Sequence, residues 1–162
     1  MSRNSRRFTY NNTFTVNKDA DSVFALLGPE EEKDWLSGWD CEMMHPGPGS
    51  AVETDAVAIS HPGTEMEAVW VVVDRDTKQH KLDLVRVQPN KLTLHLRIEV
   101  VEENGVSTVT WDMTLTALND SAATEMAASH PAVVAEAVSW IAESLNHYFR
   151  TGSKLAKLPA HP

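Results

Sequence analysis

The chain has 162 residues, which suits a single domain with one core, and its formal net charge of -9 opposes the binding of nucleic-acid phosphates. Its one cysteine excludes an internal disulfide, and no apolar run approaches the ~20 residues of a membrane helix. No signal-like apolar segment follows Met1. We therefore expect a cytoplasmic protein with no nucleic-acid partner and no membrane insertion.

The first third of the chain predicts one strand followed by two short helices. Residues 8–16 alternate apolar and polar side chains, as in a strand with one buried face. Asp19 can cap a short helix that a Gly-Pro pair ends, and a second helical turn is predicted over residues 30–35. We interpret the acidic run 30–32 as solvated surface at a helix N-terminus, and the aromatic stretch 35–44 as a packed connector into a sheet.

The middle of the chain predicts five consecutive strands separated by turn-rich segments without a helix. These strands cover residues 51–60, 65–74, 80–88, 91–101 and 106–118. The strongest turn signal is Asn104-Gly105, because Asn-Gly readily adopts the positive dihedrals of a two-residue hairpin. Strands joined in this way form an antiparallel meander, so the sequence predicts an α+β fold with a sheet of about six to seven strands.

The last third predicts a long amphipathic helix over residues 131–150. Pro131 can begin it with Ser129 as its cap, Gly152 can end it, and residues 122–128 predict a separate short helix. Apolar residues recur at steps of three and four and form one inward stripe: Val134, Ala137, Val138, Ile141, Leu145 and Tyr148. A helix of this length can lie across the hollow of a curved sheet.

This order of elements resembles the START-like (SRPBCC) superfamily, whose helix-grip fold wraps a curved antiparallel sheet around a long C-terminal helix. Four short segments are similar to its polyketide cyclase/dehydrase-type branch: Val23–Leu27, Trp35–Trp39, Thr114–Leu118 and Leu145–Phe149. The resemblance covers residues 8–152, which we interpret as a single domain between a disordered tail at 1–7 and a frayed tail at 153–162. It implies a cavity between helix and sheet for a hydrophobic or amphipathic small molecule. It implies no catalytic residue, since the superfamily has no universal catalytic motif.

The candidate cavity residues are aromatic or apolar, with one cation among them. They are Trp35, Trp39, Trp70, Arg86, Leu94, Trp111, Met113, Ile141 and Tyr148. Large aromatic side chains suit a cavity wall or a solidly packed core equally well. Arg86 can anchor a ligand carboxylate or phosphate if it shares an inward face with Leu82 and Leu84. Val85 and Val87 make the other face equally apolar, so the phase of this strand stays open.

Other residues that could carry chemistry have ordinary interpretations. His95 is predicted on the solvent-facing side of its strand, and His147 lies beside the inward stripe of the last helix. Cys41 stands between two acidic residues that disfavour its thiolate, so we interpret it as a small buried residue. No His or Cys spacing predicts a metal site, and no motif predicts a cofactor.

The leading hypothesis is binding or carriage of a hydrophobic small molecule. A cyclase or dehydratase acting on a polyketide-like or aromatic substrate is the alternative, and it requires Arg86 or Tyr148, with His147 or Asp112, to converge on one void. A docking domain resembling the chaperone-ATPase activators is a third hypothesis, and it requires an apolar patch on the outer sheet face. The strand at 8–16 can serve as a sheet edge, which leaves a homodimer open.

Overall fold

A computed structural model describes residues 5–156 of the chain, apart from the side chains of residues 129 and 130. The elements in chain order are β1 (Arg7–Val16), α1 (Ala20–Ala25), α2 (Glu32–Trp35), β2 (Cys41–His45), β3 (Val57–Ser60), β4 (Ala68–Asp76), β5 (Lys81–Gln88), β6 (Leu92–Glu103), β7 (Val106–Ala117) and α3 (Asp120–Thr151). Of the tails predicted at 1–7 and 153–162, residues 1–4 and 157–162 lie outside the described part of the chain.

The seven strands form one antiparallel sheet in the order β1-β7-β6-β5-β4-β3-β2. The predicted α+β class and helix-grip arrangement are therefore confirmed. The hairpin between β6 and β7 turns at Asn104 and Gly105, whose φ angles are 52° and 78°, as the Asn-Gly signal predicts. β1 pairs with β7, so the first and last strands of the chain lie side by side.

The segment interpreted as a connector contains a strand that the sequence analysis missed. β2 pairs with β3, with Cys41 opposite Ser60, and it buries Cys41 and Met43 on one face. The predicted strand at 51–60 is correspondingly shorter, because only Val57–Ser60 pairs with its neighbours. β2 has five residues, too few for its alternation to stand out from the aromatic stretch before it.

The final helix is longer than predicted and begins earlier. α3 is continuous from Asp120 to Thr151, so the separate helix expected over residues 122–128 is its first part and Pro131 lies in its interior. The N-cap is Asn119, whose side chain accepts a hydrogen bond from the Ala122 backbone at 2.8 Å, and not Ser129, whose side chain is outside the described part. The predicted end is confirmed, since Gly152 adopts a φ of 69°.

Packing explains why the helix continues through Pro131. Ala122, Ala123 and Met126 are buried on one side of its first turns, and Val138 and Leu145 are buried further along. Each large apolar side chain buried in this way stabilises the fold by about 1.5–3 kcal/mol. Together they outweigh the roughly 3 kcal/mol that an interior proline costs a helix.

Candidate functional site

A cavity of about 400 Å³ lies between the inner sheet face and α3, next to α2. Strands β4 to β7 form its floor, while Trp140 and Ile141 of α3 lie on its opposite side. Its wall is largely aromatic and aliphatic. The long helix therefore crosses the sheet without filling all the space beneath it.

Six of the nine candidate residues lie in this wall. They are Trp39, Trp70, Arg86, Leu94, Trp111 and Ile141. The other three do not line the cavity. Trp35 is fully buried in the core, Met113 is buried in the core from β7, and Tyr148 packs edge-on against Phe149 with ring centroids 6.4 Å apart.

Hydrogen bonds fix two of the wall tryptophans. Trp39 donates from Nε1 to the Pro29 carbonyl at 2.7 Å, and Trp70 donates from Nε1 to the Ser60 hydroxyl at 2.9 Å. The two rings meet edge to face with centroids 5.7 Å apart. The indole N–H of Trp111 differs, because it is buried and has no acceptor among the described residues.

Arg86 projects from the face of β5 that points into the cavity. It shares that face with Leu82 and Leu84, which are both buried. One terminal nitrogen donates to the Gln88 side chain at 3.3 Å, and the guanidinium lies 5.7 Å from the centre of the Trp70 ring. Burial lowers the pKa of the guanidinium from its usual value.

Glu32 is a wall residue that the sequence analysis missed. The acidic run was interpreted as solvated surface, but Glu30, Glu31 and Glu32 are all half-buried. Glu30 pairs with Lys33 at 2.7 Å and Glu31 accepts from the Val52 backbone at 2.8 Å, whereas Glu32 lines the cavity. One signal could have found it: Glu32 lies four residues before Leu36, another wall residue, so the two can share a helix face.

The environment of Glu32 changes its protonation. Burial raises the pKa of its carboxyl group to about 8, the charge of Glu31 adds to the rise, and a hydrogen bond from the Gly28 backbone opposes it. The side chain is half-buried in terms of exposed surface. Glu32 is therefore mostly protonated and neutral at pH 7.

The other polar residues considered from the sequence lie elsewhere. His95 is on the outer sheet face, as predicted, where it is hydrogen-bonded to Asp83 and accepts a hydrogen bond from Arg97 at 3.0 Å. Asp112 pairs with Arg97 on the same face at 3.7 Å. His147 is not among the residues that line the cavity. The acid-base groups that the sequence analysis named therefore do not converge on Arg86.

The outer face of the sheet also carries an apolar patch on strands β3, β4 and β5. Its members are half-buried and alternate with inward residues: Val57, Ile59, Val69, Val71, Val85 and Val87. The sheet register aligns them in two rows across the three strands. This valine patch is the kind of surface that the docking hypothesis requires, and the charged groups of β5 to β7 border it.

Cys41 is poorly suited to nucleophilic chemistry. Its thiol is buried, donates to the Pro29 carbonyl at 2.8 Å, and has a pKa that burial raises to about 12. Over residues 5–156 no group of three or more His, Cys, Asp or Glu side chains could hold a metal ion. Within the same residues, no helix is both long and apolar enough to cross a membrane.

No model of a protein family matches the chain, and no curated protein is significantly similar to it. Solved structures with the same fold are found, at low sequence identity. Ginseng major latex-like protein 151 from Panax ginseng superimposes with a TM-score of 0.64 at 15% identity, over 89% of this chain and 98% of that chain. A protein from Thermobifida fusca, solved by NMR, gives a TM-score of 0.63 at 22% identity, over 91% of this chain and 97% of that chain.

Norcoclaurine synthase from Thalictrum flavum is similar to the same extent. Its TM-score is 0.62 at 10% identity, over 91% of this chain and 89% of that chain. The synthase has also been solved in complex with dopamine and hydroxybenzaldehyde. At these identities the similarity establishes the fold of this chain.

Proposed function

We propose that this chain, which has the helix-grip fold of the START-like (SRPBCC) superfamily, binds a hydrophobic or amphipathic small molecule between its sheet and α3. One observation carries the proposal: a cavity of about 400 Å³ with a mainly apolar wall, within the roughly 300–1,000 Å³ usual for ligand sites. The complex of norcoclaurine synthase with dopamine and hydroxybenzaldehyde supports the proposal, because a protein with the same fold binds small aromatic molecules.

The energetics favour an aromatic or fused-ring ligand. A ligand that loses about 200 Å² of apolar surface in the cavity gains about 5 kcal/mol before the costs of association. The fixed rings of Trp39 and Trp70 add edge and face contacts without losing further side-chain freedom. This apolar gain alone corresponds to a dissociation constant of about 0.2 mM at best, so tighter binding has to come from the aromatic and polar contacts.

A neutral apolar dye tests the proposal directly. We expect N-phenyl-1-naphthylamine to bind the purified protein with saturable one-to-one stoichiometry and increased fluorescence. Ala137 lies on α3 at the cavity, so Ala137→Trp should reduce the affinity at least about tenfold by occupying space. Ala135→Trp is the matched control, because Ala135 is exposed on the same helix and does not line the cavity.

Two results would contradict binding in this cavity. One is the absence of saturable binding to a protein that is folded by circular dichroism. The other is equal loss of affinity in Ala135→Trp and Ala137→Trp. Native mass spectrometry of the protein purified under mild conditions provides an independent test, since a bound apolar molecule would add a defined mass.

A second candidate function is proton transfer on a bound substrate by a cyclase or dehydratase type of enzyme. Glu32 favours it, because a carboxylic acid with a pKa of about 8 can both donate and accept a proton near neutral pH. Its test is the titration of the Glu32 carboxyl carbon by NMR, with Glu32→Gln to assign the signal. A pKa in the ordinary range for glutamate would remove the support for this function.

Three expectations from the sequence stay predictions beside this proposal. Residues 8–152 are taken as a single helix-grip domain, and the protein is expected in the cytoplasm. A homodimer through a sheet edge stays open, and β1 does form one edge of the described sheet.

A further inference from the structure

Two buried N–H donors on the cavity wall have no acceptor among residues 5–156. They are Nε of Arg86 on β5 and Nε1 of Trp111 on β7. The indole groups of Trp39 and Trp70 in the same wall are both satisfied. Because buried donors in native proteins are nearly always paired, unpaired donors on a cavity wall are positions where a water molecule or a ligand supplies the acceptors.

Arg86 also brings a full positive charge to an otherwise apolar wall. Its guanidinium reaches the Gln88 side chain and the Trp70 ring, but no carboxylate in the described chain forms an ion pair with it. Buried charges in proteins are normally paired, since an unpaired one loses its hydration without compensation. The fold already bears this cost for Arg86 before any ligand arrives.

We infer that the ligand is an apolar molecule with a single carboxylate, which binds the Arg86 guanidinium, and with a neutral oxygen acceptor that reaches the indole of Trp111. This inference rests on the proposed binding function and specifies the class of ligand. A planar guanidinium offers parallel N–H donors that match the two oxygens of a carboxylate.

The sheet register separates the two donors. Arg86 lies opposite Leu94 on β6, while Trp111 lies opposite Ile98, four residues further along the same strand. Four residues of a strand span about 13 Å. This separation of the two residues along the sheet favours an elongated molecule, with the carboxylate and the neutral acceptor at opposite ends.

The charge of the wall favours a monoanion over a phosphate dianion. Arg86 is the one lysine or arginine among the described residues that line the cavity, which also include Glu32 and His61. A dianion would keep one negative charge unbalanced in an apolar space, close to an ionisable carboxyl group. A carboxylate balances Arg86 one to one.

Matched naphthalene derivatives test the inference by calorimetry at pH 7. The probes are 2-naphthoate, the neutral 2-naphthamide of the same shape, and the dianion 2-naphthyl phosphate. We expect the wild-type protein to bind 2-naphthoate at least about tenfold tighter than 2-naphthamide, as one charge-assisted hydrogen-bonded pair provides, and tighter than the phosphate. Arg86→Leu should reduce the ratio between acid and amide to within about threefold by weakening the acid alone.

Three further variants complete the design. Arg97→Leu removes an exposed arginine from the outer face of the neighbouring strand and should keep the wild-type ratio. Arg86→Lys retains a positive charge and should keep most of the preference for the acid. If Arg86→Leu fails to fold, Arg86→Gln takes its place. It also removes the charge and should again reduce the ratio between acid and amide.

The outcomes separate this inference from the proposed function. If 2-naphthoate and 2-naphthamide bind wild type equally well, or if Arg86→Leu keeps the tenfold ratio, the carboxylate class is wrong while the binding function stands. Tighter binding of the phosphate would overturn the monoanion. If neither the naphthalene probes nor the neutral dye binds, the binding function itself fails.

Discussion

Replacing Glu32 with glutamine removes a carboxyl group that the fold buries beside the cavity. In the folded protein its pKa is raised from 4.5 to about 8, mainly by burial. Between these two values the folded chain retains a proton that the unfolded chain releases. The free energy of unfolding therefore falls as pH rises through this window, because the unfolded state binds fewer protons.

The size of the effect follows from the two pKa values. At pH 7 the raised pKa of Glu32 lowers the free energy of unfolding by about 3 kcal/mol relative to acid pH, and at pH 8 by about 4 kcal/mol. Glutamine has the shape of the protonated acid and does not ionise. Glu32→Gln should therefore be more stable than wild type by up to about 3 kcal/mol at pH 7, and nearly equal to it at pH 4. These are upper values, since the carboxyl group keeps contact with the cavity.

Urea unfolding at pH 4, 7 and 8, followed by tryptophan fluorescence, measures this difference. The control is Glu103→Gln, which changes an exposed side chain in the β6–β7 hairpin and should follow wild type at each pH. If wild type and Glu32→Gln lose stability in parallel as pH rises, the carboxyl group is solvated like an ordinary glutamate and the argument from burial is refuted.

Three other predictions concern packing, capping and reactivity. Leu145 of α3 is fully buried, so Leu145→Ala should lower the free energy of unfolding by about 2–5 kcal/mol in urea titrations, while the exposed Leu118→Ala should change it by under about 1 kcal/mol. Asn119→Ala removes the N-cap of α3 and should cost about 1 kcal/mol, whereas Asn119→Ser should restore most of it. The Cys41 thiol, with a pKa of about 12, should resist iodoacetamide at pH 8 in the folded protein and react in urea, and rapid labelling of the folded protein would contradict its burial.

The parts of the fold that the sequence predicts are those with strong local signals. β6 and β7 alternate strictly and meet at an Asn-Gly turn, so their pairing follows from neighbouring residues alone. β2 lacks such a signal, because its five residues acquire a partner only through pairing with β3, which begins twelve residues after its end. Pro131 misled the prediction for a related reason: a proline suits the first turn of a helix, and only the burial of the preceding segment shows that the helix has already begun.

The same difference between local and non-local signals explains which residues of the candidate site were predicted. The orientation of β5 could not be read from its sequence, since Val85 and Val87 make its outer face as apolar as its inner one, and these valines belong to the patch on the outside of the sheet. Tyr148 continues the inward stripe of α3, but it lies seven residues beyond Ile141, or about 10 Å along the helix, and does not line the cavity. Periodicity predicts which face is buried and not where along that face an opening begins.

Glu32 and Arg86 on the cavity wall respond to burial in opposite ways, and their responses determine the charge of the cavity. Glu32 can lose its charge by binding a proton, because its pKa rises within the accessible range. Burial lowers the pKa of Arg86. A guanidinium is nevertheless effectively always protonated in proteins, so Arg86 keeps its charge near neutral pH. The cavity is thus positive inside a chain whose formal net charge is -9. The negative net charge of the chain repels anions at long range, whereas Arg86 attracts them at short range. The two effects together favour a molecule that has a single negative charge to bury against Arg86 and an otherwise apolar surface.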